Sequence, residues 1–462
     1  MRQRLLTPLA VFAALASCAV VAAAHAQTRG GDPSVEELRK EQQRLREELD
    51  RLKQQLETPR TDRRRLEEVE RKQTIITDEL RRLREAFVLP ETRELKSYYG
   101  LGPAASKVYG LERGLSIGGY GEANLRTVVG NKGNDNDVFD FLRLVLYVGY
   151  KFNDWIVFNS ETEFEHATTG KSGEVSVEFA NLDFFLHEMA NARFGLVLVP
   201  MGFINEIHEP PFFFGNVRPP VETVLLPSTW RANGLGFFGE LLPGLTYRTY
   251  GITSLDAAGF RSSGIRGGRQ SGSLERAEDF SWVGRLDYSF LPSSFAGVSA
   301  YVGDQGQGRL YGPAGQQREV GVFTQIYEGH VQLRYQGIEF RALGTVTLLD
   351  NATRLSLDPT INQPIGNRML GYYAEIGYDI LPLLLPGTTQ YLAPWFRYSH
   401  TDTQQGVPSG LVADNRHNRD YFEAGLQYKP IPQVVLKLDY RNLDAETGTL
   451  PDEVRIGAGF VF

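Results

Sequence analysis

The chain has a single cysteine, Cys18, and it falls in a leader-like stretch. That excludes a disulfide scaffold, a thiolate metal site and a cysteine nucleophile, so an exported chain of this size must be stabilised by other means. Beyond that stretch no run approaches eighteen consecutive apolar residues, which excludes a membrane-crossing helix. There is no Gly-x-Ser-x-Gly elbow, no His-Glu-x-x-His and no phosphate-cradling loop ahead of a lysine. The seven histidines are scattered without ligand spacing. No catalytic residue, metal or cofactor is expected, and a net charge of -7 argues against nucleic acid as a partner.

What is present changes character along the chain. Residues 1–26, "MRQRLLTPLAVFAALASCAVVAAAHA", have a basic start, an apolar middle and an Ala24-His25-Ala26 ending, the pattern of a secretory signal peptide. "LASC" before an apolar continuation offers the alternative of a lipid-modified Cys18. From Val35 the seam Leu38, Gln42, Leu45, Leu49, Leu52, Leu56 repeats in steps of three and four. Pro59 breaks it, and Leu66, Val69, Gln73, Ile76, Leu80, Leu83, Phe87 resume it. We read residues 34–87 as an α-helical coiled coil. Its seam glutamines point to defined self-association, with a lone hairpin folded on itself as the alternative. Residues 88–112, with Pro90, Gly100, Gly102 and Pro103, read as a linker.

After Leu111 the apolar period becomes two. "GLSIGGYGEANLRTVV" sets Leu115, Ile117, Ala123, Leu125 and Val129 on one face and Tyr120, Glu122, Asn124 and Arg126 on the other. Sixteen such segments recur to the end of the chain, with tight turns alternating with long polar loops such as "DAAGFRSSGIRGGRQSGSLERAE". The expected fold is an all-β transmembrane barrel of sixteen antiparallel strands over residues 113–462, preceded by the coiled coil. Only a closed barrel satisfies every backbone group in lipid without helices. An even strand count puts both barrel ends on the short-turn side, so the coiled coil hangs into the periplasm beneath an outer membrane.

Sixteen strands leave room for an aqueous lumen. The parity opposite the apolar face places Arg126, Arg143, Glu161, Glu163, Glu165, Arg248, Arg285, Arg334, Arg341, Arg397, Lys437 and Arg441 inside it. Charge is tolerated there only if the face is wet, because Arg or Lys against mid-bilayer lipid costs roughly 2–4 kcal/mol. Both signs occur, with arginine dominating the cations.

The chain closes on "GAGFVF", similar to the assembly signal of bacterial outer-membrane proteins. With the leader, the coiled coil, "ETEFEHATTG", "EFANLDFFLH", "ARFGLVLVPMGF" and "STWRANGLGFFGEL", the arrangement resembles the phosphate-selective porins over most of residues 35–462. That resemblance implies a homotrimeric, passive channel in outer-membrane lipid, passing small ions and hydrophilic solutes, anions in particular. It also implies that the third outer loop folds inward as a constriction. This loop is "GFINEIHEPPFFFGNVRPPVETVLLPSTWR", residues 202–231. Its prolines stiffen the backbone and its Phe and Leu clusters can pack on the wall. Glu206, His208, Glu209, Arg218, Glu222 and Arg231 are then left to face a narrow water path. An ordinary surface loop and a metal site at "EIHE" are the alternatives. The chain departs from the family where relatives carry Lys beside a Pro and this one has Val199-Pro200-Met201, which bears on phosphate selectivity. A second function, from another class, is an envelope tether whose coiled coil binds peptidoglycan or a periplasmic protein.

Overall fold

The computed structural model describes residues 95–129 and 136–462, together with helical residues 71–78 and 43, 47, 50 and 51. The leader and most of the expected coiled coil lie outside the described residues, and the helical residues at 71–78 belong to a unit separate from Leu95–Phe462.

Among the described residues of the second unit eighteen strands form, and sixteen of them close into one antiparallel barrel whose order follows the chain. The first nine are β1 (Gly114–Val129), β2 (Val138–Lys151), β3 (Ile156–Glu165), β4 (Val175–His187), β5 (Ala190–Leu198), β6 (Arg231–Leu242), β7 (Leu245–Thr253), β8 (Phe280–Leu291) and β9 (Ser294–Asp304). A separate outer hairpin pairs β10 (Leu310–Tyr311) with β11 (Arg318–Glu319). The barrel resumes with β12 (Phe323–Tyr335), β13 (Ile338–Leu349), β14 (Arg368–Tyr378), β15 (Tyr391–Gly406), β16 (Asn418–Ile431), β17 (Val434–Ala445) and β18 (Asp452–Val461). β1 and β18 pair from Tyr120↔Val461 to Val129↔Asp452. The Phe462 amide donates to the Gly119 carbonyl at 2.8 Å, and the Gly119 amide donates back to Phe462 at 3.0 Å.

The alternating pattern does what period two requires. Leu115, Ile117, Phe194, Leu235, Trp282, Val298, Phe396 and Phe460 are exposed on the outer face. Residues of the opposite parity, among them Tyr120, Glu161, Arg285, Ser299 and Arg397, are buried inside. An apolar band wrapped around a charged interior is the inverse of a water-soluble fold.

Three segments differ from the expectation. The alternation of "EVGVFTQIYEGHVQLRYQ" can be read from Glu319, but the strand begins at Phe323, because Arg318–Glu319 pair with Leu310–Tyr311 instead. The segment "QYLAPWFRYSH" reads as a strand ending at His400, but the strand runs on to Gly406, with Thr401 and Thr403 continuing the buried inner parity. Residues 95–112, read as part of a linker, are packed inside the barrel. Leu101, Ala104, Ala105 and Val108 are buried with Tyr120, Val145 and Phe179, and a 3-10 helix, Ala105–Gly110, lies against β1, β2 and β3. The glycines and proline that suggested a linker allow close approach: a Cβ at Gly102 would overlap the Glu209 carboxylate, and Gly100 has φ +79°.

The outer loops are likewise packed rather than splayed. Leu255, Phe260 and Ile265 from residues 254–279 join Tyr311, Val322, Leu355, Ile361 and Ile365 in one core with Val221, Leu225, Leu226 and Trp230.

Candidate functional site: a charged lumen crossed by the third outer loop

Residues 199–230 leave the wall at the end of β5, cross the lumen and return at β6. Bonds to strands around the barrel define the course of this loop. Near its start Glu206 pairs with Arg248 of β7 at 2.9 Å and Arg285 of β8 at 3.4 Å. Arg285 also donates to the Gly202 carbonyl. His208 reaches Glu161 of β3 at 3.0 Å. The Ala104 amide donates to the Glu209 carboxylate at 3.2 Å, which ties the loop to the inner 95–112 segment.

The middle of the loop is gripped through its backbone. Arg341 of β13 donates to the Phe212 carbonyl at 2.7 Å, and Arg397 of β15 to the Phe214 carbonyl at 2.7 Å. Lys437 of β17 donates to the carbonyls of Phe213 at 3.0 Å and Gly215 at 2.7 Å. Asp439 accepts from the Asn216 amide at 2.7 Å. The Phe214 ring stacks on Trp395 with centroids 5.7 Å apart. Further on, Glu222 accepts from the Phe203 and Ile204 amides, each at 2.7 Å, and from the Tyr373 hydroxyl of β14 at 2.6 Å. Arg231 closes the circuit by pairing with Glu178 of β4.

The wall that holds the loop carries charge in register. Directly opposed residues run Arg441, Glu423, Arg397, Glu375, Arg341, Gln332 across β17, β16, β15, β14, β13 and β12. Side chains at opposed positions face the same way, so the alternation makes each residue the partner of both neighbours. Arg397 lies 2.7 Å from Glu375 and 3.1 Å from Glu423, and Arg441 is 3.4 Å from Glu423. Glu453 extends the row to Arg455 at 2.6 Å and Arg126 at 3.5 Å. Beyond the β12 end of that row Asp287 binds Arg285 at 2.8 Å, Arg248, and His330 at 2.7 Å. Arg143 spans Glu122 and Glu163, each at 2.9 Å.

The expected constriction residues are therefore distributed differently from a set facing water. Glu206, His208, Glu209, Glu222 and Arg231 are all buried, and each is engaged in fastening the loop. Burying a charge is tolerated only when it is paired or hydrogen-bonded, and here the wall and the loop amides supply the partners. Arg218 alone of the six remains half-buried and forms no ion pair among the described residues. Of the wall residues, Arg143, Glu161, Glu163, Arg248, Arg285, Arg397, Lys437 and Arg441 are buried. Arg341 is intermediate, with Nη1 3.7 Å from Glu375. Arg126 and Arg334 keep 31% and 33% of their side-chain surface, and Glu165 is also partly open.

Reading by parity missed several members. Glu178 turns inward because β4 carries a bulge: Glu161 pairs with Phe179 while the next residue, Thr162, pairs with Val177. His330 and Glu328 sit two and four residues from Gln332 on the same inner face, so extending the parity along β12 finds them. Asp183 and Arg193 form a two-pronged pair, at 2.7 and 2.8 Å, capped by the Tyr109 hydroxyl of the inner segment at 2.7 Å. At the short-turn rim a cavity of about 980 Å³ opens between that segment and the wall, lined by Tyr98, Tyr99, Phe185, Met189, Phe238 and Arg248.

No family model matches the chain. Among solved structures, OmpF of Salmonella typhi superposes with a TM-score of 0.50 at 13% identity, covering 76% of this chain and 98% of that one. The outer-membrane channel DcaP of Acinetobacter baumannii gives a TM-score of 0.49 at 13% identity, over 75% of this chain and 97% of that one. The OmpF likeness is one of fold. In sequence, a protein of Aquifex aeolicus (strain VF5), described only as uncharacterized, is 34% identical over 370 residues, covering 76% of this chain and 80% of its own. The chain belongs to the family of that Aquifex protein, and its barrel has the porin fold.

Proposed function

We propose that the protein is an outer-membrane porin through which small hydrophilic solutes diffuse passively, with a preference for anions. The observation that carries this reading is a closed sixteen-stranded barrel, apolar outside and charged inside, with one long loop bonded across its lumen. Such a wall can contact lipid, and such an interior is compatible only with water and polar solutes. Selectivity in a pore of this kind follows from the charges at its narrowest part. The anion preference rests on which charges are left over. Arg218, Arg266 and Arg269 form no ion pair among the described residues, the latter two donating to loop carbonyls such as Thr229 at 3.0 Å. By contrast the loop carboxylates are occupied by arginines or amides. With the inner segment and the loop both inside the barrel, the path is narrow and the unitary conductance small.

Planar-bilayer recording tests the proposal. Purified protein should give stable ohmic steps, and the reversal potential in asymmetric KCl should take the sign of chloride preference. A folded barrel without steps sinks the channel reading, and strong cation preference sinks the anionic one. Crosslinking in native membranes should give a trimer ladder for the homotrimer proposed with it.

A further inference from the structure

One group of buried donors and acceptors in the lumen has no partner among the described residues: Nε and Nη2 of Arg218, Oε2 of Glu161, Oε2 of Glu178 and Nδ1 of His208. They belong to a single place. His208 bonds Glu161 through its other ring nitrogen, Glu178 is the bulged residue of β4 beside the Glu161–Phe179 pair, and the Arg218 charge acts on Glu161, Glu163, Glu178 and His208. Glu161, Glu178 and His208 are 0%, 1% and 2% exposed. Arg218 itself is only half-buried, so the cluster reaches solvent. Buried polar groups are hydrogen-bonded as a rule, and a concentration of unmade bonds marks where a mobile molecule supplies them.

The chemistry of the free atoms selects that molecule. Nε–H and Nη2–H lie on one edge of the guanidinium and point in parallel, the fork that takes a carboxylate in two bonds. Oε2 of Glu161 and Oε2 of Glu178, whose carboxyl lies against that of Glu163, can accept from a cation. A plain anion meets Glu161, Glu163 and Glu178 as well as the fork, and a plain cation meets Arg218 and Arg231. A compact molecule carrying both charges a few bonds apart satisfies both sets. We propose that this cluster is a solute subsite for zwitterionic α-amino acids, with the carboxylate on the edge of Arg218 and the ammonium shared by Glu161 and Glu178. The inference rests on the reading of the lumen as a diffusion path and names a solute class for it.

The test uses full-length protein in planar bilayers, with alanine as the probe. Alanine in the narrow lumen should reduce the ion current in a saturable way. Glycerol should not, nor should N-acetylalanine, which lacks the ammonium, or ethylamine, which lacks the carboxylate. Arg218→Gln should raise the half-blocking alanine concentration at least 10-fold, and Glu178→Gln should raise it as well. Equal block by alanine and glycerol, or an unchanged Arg218→Gln, overturns the proposal. Block by N-acetylalanine as strong as by alanine also overturns it, leaving a simple anion fork. Because the Arg218 side chain makes no hydrogen bond among the described residues, its replacement does not remove a tether of the loop. If the folded barrel fails to conduct, the channel reading falls by itself. Equilibrium dialysis of the folded protein against labelled alanine then reads the subsite independently: Arg218-dependent binding supports it and no binding refutes it.

Discussion

Replacing Arg397 by methionine keeps most of the side chain's length and removes its charge. Arg397 is 0% exposed and stands between Glu375 at 2.7 Å and Glu423 at 3.1 Å, while also holding the Phe214 carbonyl at 2.7 Å. Removing one partner from a buried ion pair costs about 3–5 kcal/mol, because the other charge is left uncompensated. Here two carboxylates are left, but each retains a weaker cation: Arg341 lies 3.7 Å from Glu375 and Arg441 lies 3.4 Å from Glu423. The low end of the range therefore applies, about 3 kcal/mol, or roughly a hundredfold in the folded-to-unfolded ratio. Urea titration of the protein in lipid vesicles reads this as a lower midpoint at unchanged slope. Because the Phe214 tether goes with it, single-channel traces should also become noisier. Arg397→Met combined with Glu375→Gln and Glu423→Gln should recover part of the stability, since no charge is then stranded. Arg397→Lys should recover little, because a point charge cannot bridge both carboxylates and a carbonyl in one plane. An Arg397→Met protein with the wild-type midpoint and quiet current would refute the reasoning.

Gly102→Val places its Cβ where the Glu209 carboxylate sits, so it should break the Ala104–Glu209 bond that ties the inner segment to the loop and raise unitary conductance; an unchanged conductance refutes the view that residues 95–112, held by that bond, narrow the path. Val298→Arg, on the exposed outer face near the middle of β9, should cost roughly 2–4 kcal/mol in vesicles. Its inward neighbour Ser299→Arg should act on conductance instead, and equal destabilisation by the two would count against the assigned parity. In the outer loop 407–417 the hydrogen bond from Arg416 holds the Asp414 carboxyl down to about 2. This value lies below the ordinary ~3.9, so the bond's contribution is complete above that pH and is lost as pH falls through 2. The ¹³C carboxyl resonance of Asp414 should titrate near 2, and a midpoint near the ordinary value refutes the pairing.

The barrel was legible because lipid outside and polar groups inside impose strict alternation, and the alternation survives in single strands such as "GLSIGGYGEANLRTVV". All sixteen barrel strands are found where that pattern places them, most within a few residues at each end. The interior was legible as to side but not as to partner. Parity puts Arg397 and Glu423 inside, but only the register of β15 against β16 makes them neighbours. Glu178 was hidden by one extra residue in β4, which reverses parity locally. The inner segment was hidden for a different reason. Its Gly and Pro residues allow close packing against Glu206 and Glu209, and composition alone does not distinguish that use from a free linker.

The Gly119–Phe462 seam has a consequence for biogenesis. The inner segment precedes β1, and the third loop is bonded to strands as late as β17, so both lie within a wall whose last stitch joins the two ends of the barrel. A closed cylinder offers no side entry for a chain already anchored at its rim. Once the seam is zipped, the inner segment and the third loop can enter or leave the lumen only through the open ends of the barrel.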